Sequence, residues 1–204
     1  MAWDAHEQRV VTPNIRSRSP CLQMASGATG PRTPATIGSG PFPDRSAMIR
    51  KATENDVPHL AHCIRELARY ERLEHELEVD EGRLAEHLFG ARPAVSAFVA
   101  EADGVPVGFA LFFATFSTFK TRSCLYLEDL FVLPQHRGAG HGLALLRAVA
   151  AEAVRRGCPR LDWNVLDWNE SAIGFYRAHG AEVLSDWRTC RLQGAALARM
   201  AAPG

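Results

Sequence analysis

The sequence predicts an α/β protein with a mixed β-sheet that is flanked by helices on both faces. Two observations lead to this fold class. Apolar, strand-like segments alternate with segments of helical periodicity, and hairpin-like strand pairs come before a strand–helix–strand unit. Hairpins join antiparallel strands, whereas a strand–helix–strand unit joins parallel ones, so both kinds of pairing are expected in one sheet.

The expected elements begin at residue 48. Thr53, with Asp56 three residues later, resembles a capping box at the start of a helix. Asp103 and Gly104 favour positive φ and predict a hairpin turn between two strands. The predicted strands are 48–52, 95–101, 105–113, 124–133, 160–165, 181–184 and 187–192, and the predicted helices are 54–73, 81–89, 138–157 and 169–179.

Residues 1–47 differ in composition from the rest of the chain. Pro, Gly, Ser and Thr occupy 19 of these 47 positions, including six of the twelve prolines. Such a segment buries too little apolar surface to offset the entropy lost on ordering. We expect a disordered N-terminal extension over 1–47 and one folded domain over 48–204. An acid-poor, arginine-containing run leaves a transit peptide open as an alternative.

Charge and cysteine content exclude several classes of protein. Basic and acidic residues balance at 23 each, which argues against a nucleic-acid partner. No run approaches the roughly 18 apolar residues of a membrane span, and no apolar signal-peptide core opens the chain. The five cysteines are scattered, as is typical of a cytoplasmic protein with reduced thiols. His59, His62 and Cys63 lie close in sequence but do not complete a ligand set, so no metal is expected.

A glycine-rich loop follows the predicted strand 124–133. Gly138, Gly140 and Gly142 alternate just before a helix, so the backbone can approach a ligand closely and turn N–H groups toward an anion. A P-loop would need Gly-Lys-Ser/Thr at the helix start, and a dinucleotide fingerprint would need a different glycine spacing. A tight turn without a ligand stays an alternative at this point.

The residues around this loop resemble a known family, the Gcn5-related N-acetyltransferases (GNAT). Residues 137–142 read Arg-Gly-Ala-Gly-His-Gly and match the family signature Gln/Arg-x-x-Gly-x-Gly/Ala. Residues 67–71, 125–132 and 166–176 are similar to the diamine (spermidine/spermine) acetyltransferase branch, and residues 192–194 resemble relatives that acetylate thialysine. The resemblance covers essentially all of 48–204 and none of 1–47.

This resemblance implies an acetyl-CoA site between the fourth and fifth strands. The pantetheine arm would pair with the fourth strand like an added strand, and the pyrophosphate would lie on the glycine loop. Asn169 would hold the pantetheine from the other side, although a helix N-cap is an equally good role for it. The implied cofactor-binding residues are Leu130, Phe131, Val132, Arg137, Gly138, Ala139, Gly140, His141, Gly142, Leu143 and Asn169.

The resemblance also implies catalytic and acceptor-binding residues. Tyr176 is the candidate general acid, which would protonate the departing CoA thiolate, and Glu128 is the candidate base. Because adjacent strand residues point to opposite faces, at most one of Glu128 and Asp129 is expected to face a cleft. Tyr70 and Glu71, at the end of the first helix, would line the acceptor entrance.

We therefore expect an N-acetyltransferase that moves acetyl directly from acetyl-CoA to a small primary amine. The diamine, polyamine and lysine-like classes are candidates, and the chain lacks acids that polyamine enzymes carry near Thr118, which favours a small diamine or a lysine-like amino acid such as thialysine. A non-catalytic acyl-CoA-binding module and a dinucleotide-dependent oxidoreductase are the alternatives. A homodimer is expected by resemblance.

Deleting residues 1–47 is predicted to leave the folded domain intact. The segment contributes little apolar surface, so the melting temperature should change by less than about 2 °C, the low end of the shift that a loss of 1 kcal/mol causes in a domain of this size. Differential scanning calorimetry of the full and truncated chains checks this. A drop of 5 °C or more would show that the extension is part of the fold.

Overall fold

The computed structural model describes residues 48–202, so the predicted extension over 1–47 lies outside the described residues. The strands are β1 (Met48–Lys51), β2 (Ser96–Ala102), β3 (Val105–Ser117), β4 (Arg122–Val132) and β5 (Leu161–Asp162), and the helices are α1 (Val57–Glu71), α2 (Glu81–Phe89), α3 (His141–Arg155), α4 (Glu170–Ala178) and α5 (Gly194–Ala201). The strand order is β1-β2-β3-β4-β5, antiparallel except for the parallel pair β4 and β5. The predicted mixed sheet is confirmed.

The sheet has a hydrophobic cluster on each face. On one face, Leu145 and Val149 of α3 belong to a cluster with Leu125 and Leu127 of β4. On the other face, Leu60 of α1 lies in a cluster with buried residues that include Phe109 and Phe131. Both faces of the central strands are therefore covered by helices, which accounts for the nearly continuous apolar sequence of β3 and β4.

A β-bulge in β4 changes which face its side chains meet. Asp129 lies opposite Leu111 of β3, but Phe112, the next residue of β3, lies opposite Leu127. Glu128 is therefore the extra residue, and the alternation of side chains shifts by one position there. As a result Leu127 contributes to the cluster beneath α3, whereas Phe131, four residues later, contributes to the cluster beneath α1.

An ionic contact ties the first strand to the start of α1. The Arg50 guanidinium donates to both carboxylate oxygens of Asp56, at 2.7 Å each, and to Glu101 of β2 at 2.7 Å. The Thr53 N–H and hydroxyl also donate to Asp56, at 2.7 and 2.8 Å, which confirms the predicted return bond of a capping box. The Arg50 contact, with these bonds, lowers the pKa of the buried Asp56 to about 2.

The prediction of two C-terminal strands, over 181–184 and 187–192, was wrong. No strand forms over 181–184 or 187–192 among the described residues, and residues such as Trp187 lie largely exposed. A strand needs a neighbouring edge with free backbone groups, and β5 is too short, at two residues, to provide one. The run Gly194–Ala201, which contains four alanines, forms α5 instead.

Candidate active site

The sheet opens between β4 and β5. The two strands pair at two positions, Leu125 with Leu161 and Tyr126 with Asp162, and no further ladder pair joins them within residues 48–202. β4 continues for six more residues, to Val132, along its ladder with β3. One edge of β4 therefore lies beside a gap in the sheet, and its backbone groups need another partner.

The direction of the β4 carbonyls shows which residues line this gap. A Cβ placed on Gly108 of β3 would lie 2.6 Å from the Phe131 carbonyl oxygen, so that carbonyl faces β3. Successive carbonyls of a strand alternate in direction, so the Leu130 and Val132 carbonyls face the gap. The Val132 oxygen accepts a hydrogen bond of 2.9 Å from Arg137 Nε. Of the three predicted residues, Leu130 and Val132 thus present backbone at the open edge, and Phe131 does not.

The glycine loop leads from this edge into α3. Gly138 and Gly140 have φ of 79° and 85°, and a Cβ at either position would meet no atom within 4 Å. The requirement for glycine is therefore set by the backbone conformation, and open space surrounds both residues. Ala139, between them, is exposed.

The N-terminus of α3 offers free N–H groups at the end of the loop. The first intrahelical bond runs from the Ala144 N–H to the Gly140 carbonyl, so the N–H groups of His141, Gly142 and Leu143 precede it. The helix dipole adds partial positive charge at this point. His141 is buried, and burial lowers the pKa of its imidazole. The loop and helix start can therefore hold a phosphate group.

Asn169 forms the opposite side of the gap. Its Oδ1 accepts the Ala172 N–H at 3.2 Å, so the N-cap role is confirmed. The same oxygen accepts the Tyr70 hydroxyl at 3.2 Å. The centroid of the Tyr70 ring also lies 6.0 Å from the centroid of the Trp168 ring and 4.9 Å from the guanidinium carbon of Arg137. Sequence analysis included Trp168 in the matched segment 166–176 but did not count it among the site residues; its exposed side chain lies in the loop before α4.

Tyr176 is buried on α4 between two aromatic side chains. Its ring centroid lies 5.0 Å from that of Trp163 and 5.2 Å from that of Phe175. Burial, with a smaller contribution from Glu71, raises the pKa of Tyr176 to about 12. The phenol consequently keeps its proton at neutral pH and can donate it to a developing anion.

Two carboxylates, Glu71 and Glu128, lie close enough to Asp129 to influence its pKa. Burial, together with smaller contributions from the charges of Glu128 and Glu71, raises the pKa of Asp129 to about 7. Burial also raises the pKa of Glu71. The bulge accounts for this grouping, because it places Asp129 in phase with Phe131, on the face that α1 covers. We expected at most one of Glu128 and Asp129 at the cleft because side chains alternate between the two faces of a strand. The bulge interrupts this alternation at Glu128, whose side chain is exposed.

The cluster on α1 that sequence analysis considered for metal binding is a hydrogen-bonded pair. Cys63 Sγ lies 3.2 Å from His59 Nε2, and burial raises the pKa of this thiol to about 12. Across the described part of the chain, no group of three or more His, Cys, Asp or Glu residues could hold a metal ion. Within residues 48–202, no helix combines the length and apolar character that a membrane crossing requires.

Comparison with known proteins agrees with this geometry. The sequence pattern of the acetyltransferase (GNAT) family matches residues 61–181. A thialysine N-epsilon-acetyltransferase of Bos taurus is 39% identical over 165 residues, which cover 76% of this chain and 96% of that protein. An L-ornithine N5-acetyltransferase of Arabidopsis thaliana is 35% identical over 196 residues, with 74% and 86% covered.

Solved structures share the fold. An integron cassette protein from the mobile metagenome of V. cholerae superposes with a TM-score of 0.65 at 29% identity, over 78% of this chain and 99% of that one. A ribosomal-protein-alanine N-acetyltransferase of Brucella melitensis biovar Abortus 2308 gives a TM-score of 0.58 at 23% identity, over 73% and 100%.

The raised pKa of Asp129 predicts a pH-dependent effect of Asp129→Asn on stability. The folded state binds the proton more tightly than the unfolded state, whose carboxyl titrates near 3.8. Wild-type stability from this group is therefore complete below about pH 4 and is lost as the pH rises through about 7. Asp129→Asn should gain stability relative to wild type at pH 8 and gain much less at pH 4.

Thermal unfolding of both proteins across this range measures the effect. Asp186→Asn removes an exposed carboxylate far along the chain and serves as the matched control. An Asp129→Asn protein that is less stable than wild type at pH 8 would contradict the assignment of a destabilising buried charge.

Proposed function

The chain belongs to the acetyltransferase (GNAT) family and is an acetyl-CoA-dependent amine N-acetyltransferase; we propose that its acceptor is a small amino acid with a primary side-chain amine, of the lysine, thialysine or ornithine type. The single observation that carries the site is the open edge of β4, which leads directly into the glycine loop and the start of α3. Family membership argues against the two alternatives, a dinucleotide oxidoreductase and a non-catalytic module.

The pantetheine arm of acetyl-CoA pairs with the backbone groups of Leu130 and with the Val132 N–H, because Arg137 already donates to the Val132 carbonyl. This is the hydrogen-bonding pattern of an added strand, and it satisfies backbone that β5 leaves unpaired. The pyrophosphate lies on the N–H groups of His141, Gly142 and Leu143, where the open space around Gly138 and Gly140 admits it. The remaining loop residues, Arg137 and Ala139, flank the phosphates, and Asn169 borders the arm from α4.

Acetyl transfer proceeds directly, without an acyl-enzyme. The ammonium group of the acceptor first loses a proton to Glu128, through a water molecule. The neutral amine nitrogen then forms a bond to the acetyl carbonyl carbon, and the carbon–sulfur bond breaks. Tyr176 gives its proton to the departing thiolate, and its pKa of about 12 means that the phenol carries that proton beforehand.

Carboxylates around the reacting amine select a cation. Glu71 and Glu128 give this end of the site negative charge, and Tyr70 with Glu71 forms the rim through which the acceptor enters. The β3–β4 hairpin, by contrast, carries Lys120 and no acid over 116–120. A second distant ammonium group therefore finds no partner on the hairpin, which favours a short amino acid over a long polyamine.

A homodimer in the cytoplasm, with no nucleic-acid or membrane partner, completes the proposal. The balance of basic and acidic residues supports the absence of a nucleic-acid partner and of a membrane partner. Exposed apolar side chains of the C-terminal segment supply surface for a second copy: Trp187, Leu192, Leu197 and Met200. Light scattering that gives the mass of a single chain at micromolar concentration would contradict the dimer.

An acceptor screen tests the proposed substrate class. Purified enzyme with acetyl-CoA is assayed for free-thiol release with thialysine, lysine, ornithine, putrescine and spermidine. We expect kcat/KM for the best amino acid to exceed that for spermidine by roughly ten-fold, the equivalent of one ionic contact. A preference for spermidine would overturn the proposed acceptor and leave the acetyl-CoA site standing.

Tyr176→Phe tests the general acid. The substitution keeps the ring between Trp163 and Phe175 and removes the hydroxyl, so the fold and the KM for acetyl-CoA should change little. We expect kcat to fall by about 10²–10⁴-fold, with no recovery at high pH. Trp163→Phe alters the same aromatic cluster without removing an acid and is the matched control for packing. Near-normal turnover of Tyr176→Phe across the pH range would remove the assignment.

Glu128→Gln tests the base by its pH dependence. A lysine-type amine has a pKa near ~10.4, so solvent supplies more neutral amine as the pH rises. The kcat/KM of the variant should therefore approach that of wild type between pH 7 and 10. A defect of constant size over this range would mean that Glu128 supports the bulge or orients the acceptor instead of accepting a proton.

A further inference from the structure

Tyr70 contacts both walls of the gap between β4 and β5. Its hydroxyl donates to Asn169 Oδ1 at 3.2 Å, on the α4 side, and its ring lies 4.9 Å from the Arg137 guanidinium carbon, on the β4 side. The residue is 99 positions from Asn169 in sequence, so the contact depends wholly on the tertiary structure. Its ring is 38% exposed and is not needed to fill a core.

The contact with Asn169 sets the orientation of that side chain. Oδ1 is held by two donors, the Ala172 N–H and the Tyr70 hydroxyl. The amide rotamer in which Oδ1 takes both bonds leaves Nδ2, a donor, as the polar group free to meet a ligand. The hydrogen bond from the Ala172 N–H is sufficient for Asn169 to cap the helix. The second bond, from the Tyr70 hydroxyl, comes from another direction and fixes the orientation of the Asn169 amide plane.

The contact with Arg137 acts on the other wall. The guanidinium is held by three groups, which are the Tyr70 ring, the Phe131 ring at 5.3 Å and the Val132 carbonyl at 2.9 Å. Phe131 and Val132 belong to β4, while Tyr70 belongs to α1. These contacts restrict the rotamers of the exposed Arg137 side chain before any anion binds. Less side-chain entropy is therefore lost when an anion does bind.

We infer that Tyr70 is a positioning residue for acetyl-CoA, in addition to its place at the acceptor rim. It orients Asn169 and Arg137 on opposite walls before the cofactor arrives, and it acts through these two side chains instead of touching the reacting atoms. The inference rests on the proposed acetyl-CoA site, because it assumes that Asn169 and Arg137 meet that cofactor.

The test measures binding of CoA without an acceptor, by isothermal titration, so that it does not depend on turnover. Tyr70→Phe removes the hydroxyl bond to Asn169 and keeps the ring near Arg137. Its Kd for CoA should rise about 2- to 10-fold, the range of one neutral hydrogen bond. Tyr70→Leu removes both contacts and should raise the Kd further. Arg69→Gln changes the exposed neighbour of Tyr70 on α1 and is the matched control, with an unchanged Kd.

A double-mutant cycle distinguishes positioning from a general effect on structure. Asn169→Ser keeps a capping oxygen for the Ala172 N–H but is too short to reach Tyr70. If Tyr70 acts through Asn169, Tyr70→Phe should weaken CoA binding in the wild-type background and have no further effect in the Asn169→Ser background.

Additive effects in the cycle, or an unchanged Kd in Tyr70→Phe while Asn169→Ser weakens binding, would overturn the inference and leave the acetyl-CoA site intact. An unchanged Kd in Asn169→Ser would overturn the placement of Asn169 in the site, and the inference with it.

Discussion

The gap between β4 and β5 is the constraint on which the site depends. β4 is paired with β3 along one edge except at the bulge, but β5 pairs with it at two positions, so within residues 48–202 the backbone of Leu130 and Val132 has no strand partner on the other edge. Unpaired backbone groups beside a core are costly unless something satisfies them. Arg137 satisfies one carbonyl, and the amide-rich arm of acetyl-CoA is chemically suited to the others. The glycine loop lies at the end of this edge and the N-terminus of α3 follows it, so the edge also sets where the phosphates lie.

Burial raises the pKa of both Tyr176 and Asp129, but the consequences for the two groups differ. It raises the pKa of Tyr176 to about 12, which keeps the phenol ready to donate, and it raises the pKa of Asp129 to about 7, which makes that carboxyl an ineffective anion near neutral pH. Glu128, the extra residue of the bulge, is exposed. The bulge therefore separates two adjacent acids by environment as well as by direction.

The end of α1 brings the acceptor and cofactor sides together. Arg72 adopts a left-handed conformation, with φ of 62°, and ends the helix directly after Tyr70 and Glu71. Glu71 influences the pKa of both Tyr176 and Asp129, while Tyr70 reaches Asn169 and Arg137. In the proposed site, one helix terminus thus lies near the candidate acid through Glu71 and contacts both proposed cofactor-binding side chains through Tyr70.

Features that depend on local spacing could be predicted from the order of the amino acids alone. These include the glycine loop, the cap at Asn169, the capping box at Asp56 and the mixed sheet, and the motif around Tyr176 identified the family. Contacts between distant segments were decided by the tertiary structure. The bulge at Glu128 follows from how β4 registers with β3, the short β5 from how far the two strands diverge, and the missing strands over 181–192 from the lack of an edge to pair with. Local patterns report which face a residue prefers, but hydrogen-bond register and edge availability arise only when the strands meet.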